Sequence, residues 1–227
     1  IQIKIEMIKI CLGEKMKNKI NVLGLGPGNL DYTLPVVLKE IEKSDLIIGG
    51  KRHIESLGKY AENKEYCYIN ADLQRVLDFI KENRDKKMSL ILSGDTGFYS
   101  MLTFMRKHFE ASELNVIPGI SSIQYMFAKI SDYWNNAFIS SVHGREMDYV
   151  EKLREFGKIG LLTDNKNTPQ KISETLIEAG MDNSIIFVGE NLSYENEQIL
   201  EFSVKEMVKV EEKFEMNVVV IYWDGKE

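Results

Sequence analysis

Three short segments of the chain set glycine beside polar or hydroxyl residues directly after a stretch that reads as a β-strand. In the first, Gly24-Leu25-Gly26-Pro27-Gly28, the glycines let a strand-to-helix turn bring backbone close to a phosphate at a helix N-terminus. Two features weigh against a dinucleotide. Asn29 holds the place of the third fingerprint glycine, and Pro27 removes an amide donor. The ribose-binding acid expected about 20 residues on is replaced by Ile48-Gly49-Gly50-Lys51. A tight turn with no ligand is the simpler reading of this segment alone. In the second, Ser93-Gly94-Asp95-Thr96-Gly97-Phe98-Tyr99, a short carboxylate between glycines can accept a hydrogen bond from a ligand hydroxyl or ammonium beyond a strand's carboxyl end. The competing reading makes Asp95 only the N-cap of a following helix. The third, Pro118-Gly119-Ile120-Ser121-Ser122, opens a helix with hydroxyl residues. Capping explains them, and a ligand contact from the serine amides or hydroxyls would be an added role.

Two basic clusters complete the set. Lys51-Arg52-His53 and His143-Gly144-Arg145 both follow expected strands, where a guanidinium fork suits a carboxylate. Solvated surface charge is the alternative for each. His143 is the candidate proton carrier, set against an ordinary surface histidine. His53, His108 and His143 show no metal-ligand spacing, and Cys11 and Cys67 form no CxxC pair, so no metal site is expected. Isolated thiols suit a reducing cytoplasm.

The elements that must position these residues alternate between strand and helix. Strands are expected at 20–25, 46–48, 66–69, 88–92 and 114–117. Helices are expected at 31–43, 72–83, 97–109 and 120–130. In 72–83 the apolar residues Leu73, Val76, Leu77 and Ile80 form the stripe of an amphipathic helix. This alternation builds a mostly parallel sheet with helices on both faces. The polar stretch SDYWNN at 131–136 marks a boundary. Beyond it, strands are expected at 137–142, 159–163, 184–188, 198–202 and 217–223, and helices at 147–156 and 169–179. Two consecutive strands near the end predict an antiparallel portion. The fold class is α/β in two domains, 18–131 and 132–227, after an N-terminal extension at 1–17, with Met16 as a candidate start.

Composition narrows the function. With 227 residues, 44% of them hydrophobic, the chain can bury a substantial core. A net charge of −6 argues against a nucleic-acid binder, which would show a basic face. No stretch approaches the roughly 18 apolar residues of a membrane span.

In their order and spacing the three glycine segments resemble the tetrapyrrole (corrin/porphyrin) methylase family, in which GxGPG, a GDxxxY-like segment and PGxSS or PGxTA recur. The resemblance runs from Asn18 to about Trp223. IIGGKRHIESL, SGDTGFYS, IPGISSIQYMFAKI, SSVHGRE and GENLSYENEQI are similar to the branch that methylates C5 of cobalt-precorrin-7. The resemblance implies two α/β domains with a cofactor cleft between them, S-adenosylmethionine as cofactor, a corrin precursor as substrate and a cytoplasmic homodimer. It places Pro27, Ser93, Gly94, Asp95, Phe98, Ser121 and Ser122 at the cofactor, with Thr163 and Leu192 joining from the second domain. Thr96 stands where proline is more usual. The carboxylate arms of a corrin would fall to Lys51, Arg52, His143 and Arg145. Some members carry a second domain for C15 methylation with decarboxylation. The absence of one here implies the stand-alone form and a separate C15 enzyme as partner. A methylase of another tetrapyrrole position, a nicotinamide-dependent oxidoreductase and a non-catalytic nucleotide-binding module are the competing readings.

Overall fold

A computed structural model describes residues 18–225. The extension expected at 1–17 lies outside the described residues. The chain divides into two units between Ile120 and Ser121.

The first unit is built on a parallel sheet of β1 (Ile20–Gly24), β2 (Leu46–Gly49), β3 (Glu65–Tyr68), β4 (Met88–Leu92) and β5 (Leu114–Ile117), in the order β3-β2-β4-β1-β5. Ile20 pairs with Met88 on one side and Leu114 on the other. Side chains alternate across a strand. Ile20, Val22, Leu46, Ile48, Met88 and Leu90 therefore enter one core, and Leu23, Ile47 and Ile91 the other. Burial on both faces is what makes these strands near-continuous apolar runs, each large side chain contributing roughly 1.5–3 kcal/mol.

Helices α1 (Pro35–Glu42) and α2 (Lys51–Ser56) cover the Leu23 face, while α3 (Leu73–Glu82) and α4 (Leu102–His108) cover the Ile20 face. In α3 the expected stripe is buried at Val76, Leu77 and Ile80, and Asp72 caps the helix by accepting from the Arg75 amide at 3.1 Å. The helix after β1 and the helix after β4 lie on opposite faces, although β1 and β4 are neighbours. Loops leaving adjacent strand ends in opposite directions open a crevice at the carboxyl edge of the sheet.

The second unit opens with α5 (Ser122–Lys129), followed by β6 (Phe138–Ser141), α6 (Tyr149–Phe156), β7 (Lys158–Leu162), α7 (Pro169–Glu178), β8 (Ile185–Glu190), β9 (Gln198–Ser203), the short α8 (Val204–Met207) and β10 (Asn217–Tyr222). Its sheet order is β6-β7-β10-β8-β9, with only the β6–β7 pair parallel. The antiparallel part thus extends beyond the expected consecutive strands. β10 inserts between β7 and β8 and runs against both, a pairing no local pattern announces.

One face of this sheet buries Leu153, Ile172, Leu176 and Met207 against Ile159, Leu161, Ile186 and Val219. The other receives α5. A Cβ on Gly160 would stand 3.1 Å from Ile123 and 3.2 Å from Phe127, and one on Gly189 2.5 Å from the Met126 sulfur. Those glycines let α5 settle onto its sheet, and this packing moves the division to Ile120/Ser121, ahead of the expected boundary at 131/132. Two other expectations shift. The helix expected over 97–109 begins only at Leu102, and α2 was not expected.

Candidate active site

At the carboxyl edge of the first sheet the three glycine segments meet backbone to backbone. A Cβ on Gly119 would lie 2.3 Å from the Gly94 carbonyl oxygen and 2.8 Å from Gly24, and one on Gly24 would lie 2.6 Å from the Gly119 nitrogen. The Gly26 amide donates to the Gly94 carbonyl at 3.2 Å, and the Gly94 amide returns a bond to Gly26 at 2.8 Å. Thr33 donates its hydroxyl to the Leu25 carbonyl at 2.5 Å. Asp95 binds the loops together, its Oδ1 accepting from the Gly97 amide at 2.8 Å and its Oδ2 from the Gly119 amide at 3.1 Å.

This geometry decides between the readings of the first two segments. The Gly26 amide is engaged by Gly94, and the next α-helix starts only at Pro35. The turn therefore offers no α-helix N-terminus to a pyrophosphate, and the single 3-10 turn Leu30–Tyr32 that follows is capped by the Asn29 side chain. Asp95 is not an N-cap, because residues 97–101 form a turn with Tyr99 at φ 49° and α4 begins after Met101. Pro27 is buried, while Ser93 is exposed and Gly94, Asp95 and Phe98 are partly exposed at the same edge. Phe98 meets Tyr99 edge-on with ring centroids 4.8 Å apart.

In the second unit the loop after β6 is clamped to the loop after β7. His143 donates its Nδ1–H to the Thr163 carbonyl at 2.9 Å, and its backbone N–H to the Ser141 hydroxyl at 3.1 Å. The Gly144 amide donates to Asp164 Oδ2 at 2.7 Å, and the Asn167 side-chain amide donates to the Val142 carbonyl at 2.8 Å. Asp164 Oδ1 also accepts from the amides of Asn167 at 2.7 Å and Lys166 at 2.9 Å. Hydrogen bonds from Asn167 first, then Gly144, hold its carboxyl down at about 2. Asp164 and Asn167 were missed as site-builders. An Asp-Asn-Lys-Asn run directly after a strand, which signals an Asx-type turn, could have revealed them.

The remaining expected residues have mostly structural positions. Ser121 accepts from the Gln124 amide at 3.1 Å while Gln124 accepts from the Ser121 amide at 2.9 Å, a capping box that starts α5. Ser122 is the first residue of that helix. Thr163 is buried, and its hydroxyl donates to Asn217. Leu192 is buried with its side chain over Gly189. Lys51 and Arg52 are exposed in the first turn of α2, where Lys51 approaches Glu55 at 3.7 Å. Half-buried His53 has its pKa lowered by burial and then by the Arg52 charge. Arg145 is exposed beside His143. Among the described residues no group of His, Cys, Asp and Glu could hold a metal ion, and no helix is long and apolar enough to cross a membrane.

Residues 19–208 match the profile of the Tetrapyrrole (Corrin/Porphyrin) Methylases. The chain belongs to this family. It is 33% identical over 202 residues to the cobalt-precorrin-7 C(5)-methyltransferase of Salmonella typhimurium, an alignment covering 89% of this chain and 98% of the relative. Its fold is similar to the precorrin-6Y methylase of Archaeoglobus fulgidus, with TM-score 0.71 and 18% identity over 91% of this chain and 98% of that one. It is also similar to a uroporphyrin-III C-methyltransferase of Thermus thermophilus complexed with S-adenosylhomocysteine, with TM-score 0.67 and 15% identity over 91% and 92% of the two chains. These two structural likenesses bear on the fold alone. Family membership and the closed glycine turn together disfavour the oxidoreductase reading.

Proposed function

We propose that this tetrapyrrole methylase is an S-adenosylmethionine-dependent C-methyltransferase of cobalamin biosynthesis that methylates C5 of (cobalt-)precorrin-7. The observation that carries this reading is the likeness to the Salmonella C5-methyltransferase across 98% of that relative's length.

The residues fit the cofactor. A crevice edged by bare glycine backbone, with its turn amide already engaged, suits a nucleoside ligand that lacks phosphate. When bound, S-adenosylmethionine supplies an electrophilic methyl carbon. Pro27, Ser93, Gly94, Asp95 and Phe98 hold it in the first unit, through backbone edges and the Phe98 ring. The family resemblance adds Ser121, Ser122, Thr163 and Leu192 as further candidate contacts. The Thr163 hydroxyl already has partners and the Leu192 side chain is buried, so these two act through backbone groups. Ser121, whose amide and carbonyl are engaged in the helix cap, acts through its O–H, the hydroxyl oxygen serving the cap only as acceptor. Because the sulfonium methyl is already activated, the protein's work is alignment and exclusion of water. Lys51, Arg52 and Arg145 receive the carboxylate arms of the substrate, with the guanidinium forks giving bidentate contacts. His143 gives its Nδ1–H to Thr163 and as a neutral imidazole has no second donor for a carboxylate. The reading includes a cytoplasmic homodimer and a separate enzyme for the C15 methylation and decarboxylation.

The test is incubation of the protein with (cobalt-)precorrin-7 and S-adenosylmethionine carrying a carbon-13 methyl. The expected product is heavier by one methyl group, with the label at C5 alone. Label at C15, or carbon dioxide released in step with transfer, would overturn the assignment. Transfer to a uroporphyrinogen-type substrate instead would keep the family and defeat the branch.

A further inference from the structure

We propose that Tyr68, backed by Tyr66, is the platform on which the conjugated face of the corrin substrate rests, beside the Lys51 and Arg52 cations that receive its carboxylate arms. The proposal rests on the corrin reading above and adds a specificity residue that reading lacks. All of its parts lie in the first unit. A corrin precursor presents two kinds of surface, a conjugated face that stacks on aromatic rings and a rim of carboxylates. A site that selects it needs both kinds of partner side by side.

β3 is an edge strand of the first sheet, and Tyr66 and Tyr68, two residues apart, share one of its faces. Tyr66 pairs with Ile47 and Tyr68 with Gly49, so this is the face that α2 helps to cover. Cys67, between them, enters the opposite core. At 39% and 48% exposure the two rings leave apolar surface in water that a stacked ligand would bury. The Tyr66 hydroxyl donates to the Ala61 carbonyl and fixes the first ring. Tyr68 stacks on it with centroids 6.3 Å apart and planes 29° from parallel. Its own hydroxyl has no hydrogen-bond partner among the described residues.

The charged half of the site follows from the same ladder. Gly49, the partner of Tyr68, leads through Gly50 into exposed Lys51 and Arg52 at the start of α2. Ile48 pairs with both Cys67 and Leu90, and Gly49 packs against Ile91, so Tyr68 is level with Ile91 of β4. With only β2 between them, the two backbones lie about 10 Å apart, and Ser93, Gly94 and Asp95 follow at the end of β4. A tetrapyrrole with its arms spans that distance. One ligand can therefore rest on Tyr68, reach Arg52 with a carboxylate and turn an edge carbon toward the end of β4.

Kinetics and spectral titration of the full chain test the proposal. Tyr68→Ala should raise the KM for (cobalt-)precorrin-7 about tenfold while kcat falls less than about twofold, the pattern of lost substrate binding. Its affinity for S-adenosylhomocysteine should stay within about twofold of the wild type. Tyr68→Phe, which keeps the ring, should recover most of the lost binding. Titrated without S-adenosylmethionine, (cobalt-)precorrin-7 should shift its visible absorption on binding the wild type and Tyr68→Phe, and shift less with Tyr68→Ala. A KM unchanged in Tyr68→Ala, or raised as much in Tyr68→Phe, overturns the platform alone when the wild type still labels C5. A wild-type protein that neither shifts the absorption nor labels C5 overturns the corrin reading beneath it.

Discussion

Asp95 holds backbone amides of two different loops with one carboxylate, Gly97 through Oδ1 and Gly119 through Oδ2. An asparagine offers one acceptor and turns an NH2 toward the other amide. Asp95→Asn should therefore lower stability by about 1–2 kcal/mol and weaken S-adenosylhomocysteine binding about tenfold, read by thermal melts and titration calorimetry. Unchanged affinity would reduce Asp95 to a loop tie. Asp164 and His53 make separate predictions for pH. The Asp164 carboxyl titrates at about 2 rather than 3.8, so below 3.8 the unfolded chain takes up a proton that the folded one refuses. Its contribution is present above 3.8 and is lost as pH falls toward 2, reduced by solvent screening. For His53, whose folded pKa is lowered from 6.5 by burial and then by Arg52, stability is full above 6.5 and declines on acidification below it. Chemical denaturation across pH should show Asp164→Asn flattening the lower window and His53→Gln the upper one.

Among the elements, close approach is bought with glycine in two different ways. At the ends of β1, β4 and β5 the obstacle to a Cβ is backbone, with the Gly94 carbonyl oxygen 2.3 Å from the site on Gly119. Gly94 is held by its paired hydrogen bonds with Gly26 and resists displacement, so Gly119→Ala should cost about 3 kcal/mol, the upper end for overpacking. Under α5 the obstacles to a Cβ on Gly189 are the Met126 sulfur at 2.5 Å and a Leu192 methyl at 2.8 Å. Methionine is flexible, so Gly189→Ala should cost about 1 kcal/mol. Urea midpoints at constant slope would measure both, and equal costs would mean that the strand ends yield as readily as a side chain.

For the whole molecule, a ligand that binds only the folded state stabilises by mass action. S-adenosylhomocysteine at a hundredfold over its dissociation constant should add about 2.7 kcal/mol, and NAD or NADP should add nothing. The closed Gly26–Gly94 turn, which leaves no phosphate cradle, motivates the contrast. Stabilisation by a nicotinamide nucleotide alone would defeat the methylase cofactor reading.

Local pattern determined a large part of this protein. The strands at 20–24, 46–49 and 88–92 were legible because burial on both faces demands continuous apolar runs. The stripe of α3 was legible because a helix repeats its buried positions every three or four residues. The order of the three glycine segments was enough to indicate the family. Short α2 escaped because it buries only Ile54 among its six residues, too few for a period to show. Tertiary structure alone decided what depends on residues distant in sequence. It joined Asp95 to Gly119 across 24 positions and Gly144 to Asp164 across 20. It also placed β10 antiparallel between β7 and β8, and gave α5 to the second unit. Hydrogen bonds and packing of this kind form between whatever the fold brings near, and a periodicity of two or 3.6 residues carries no information about them.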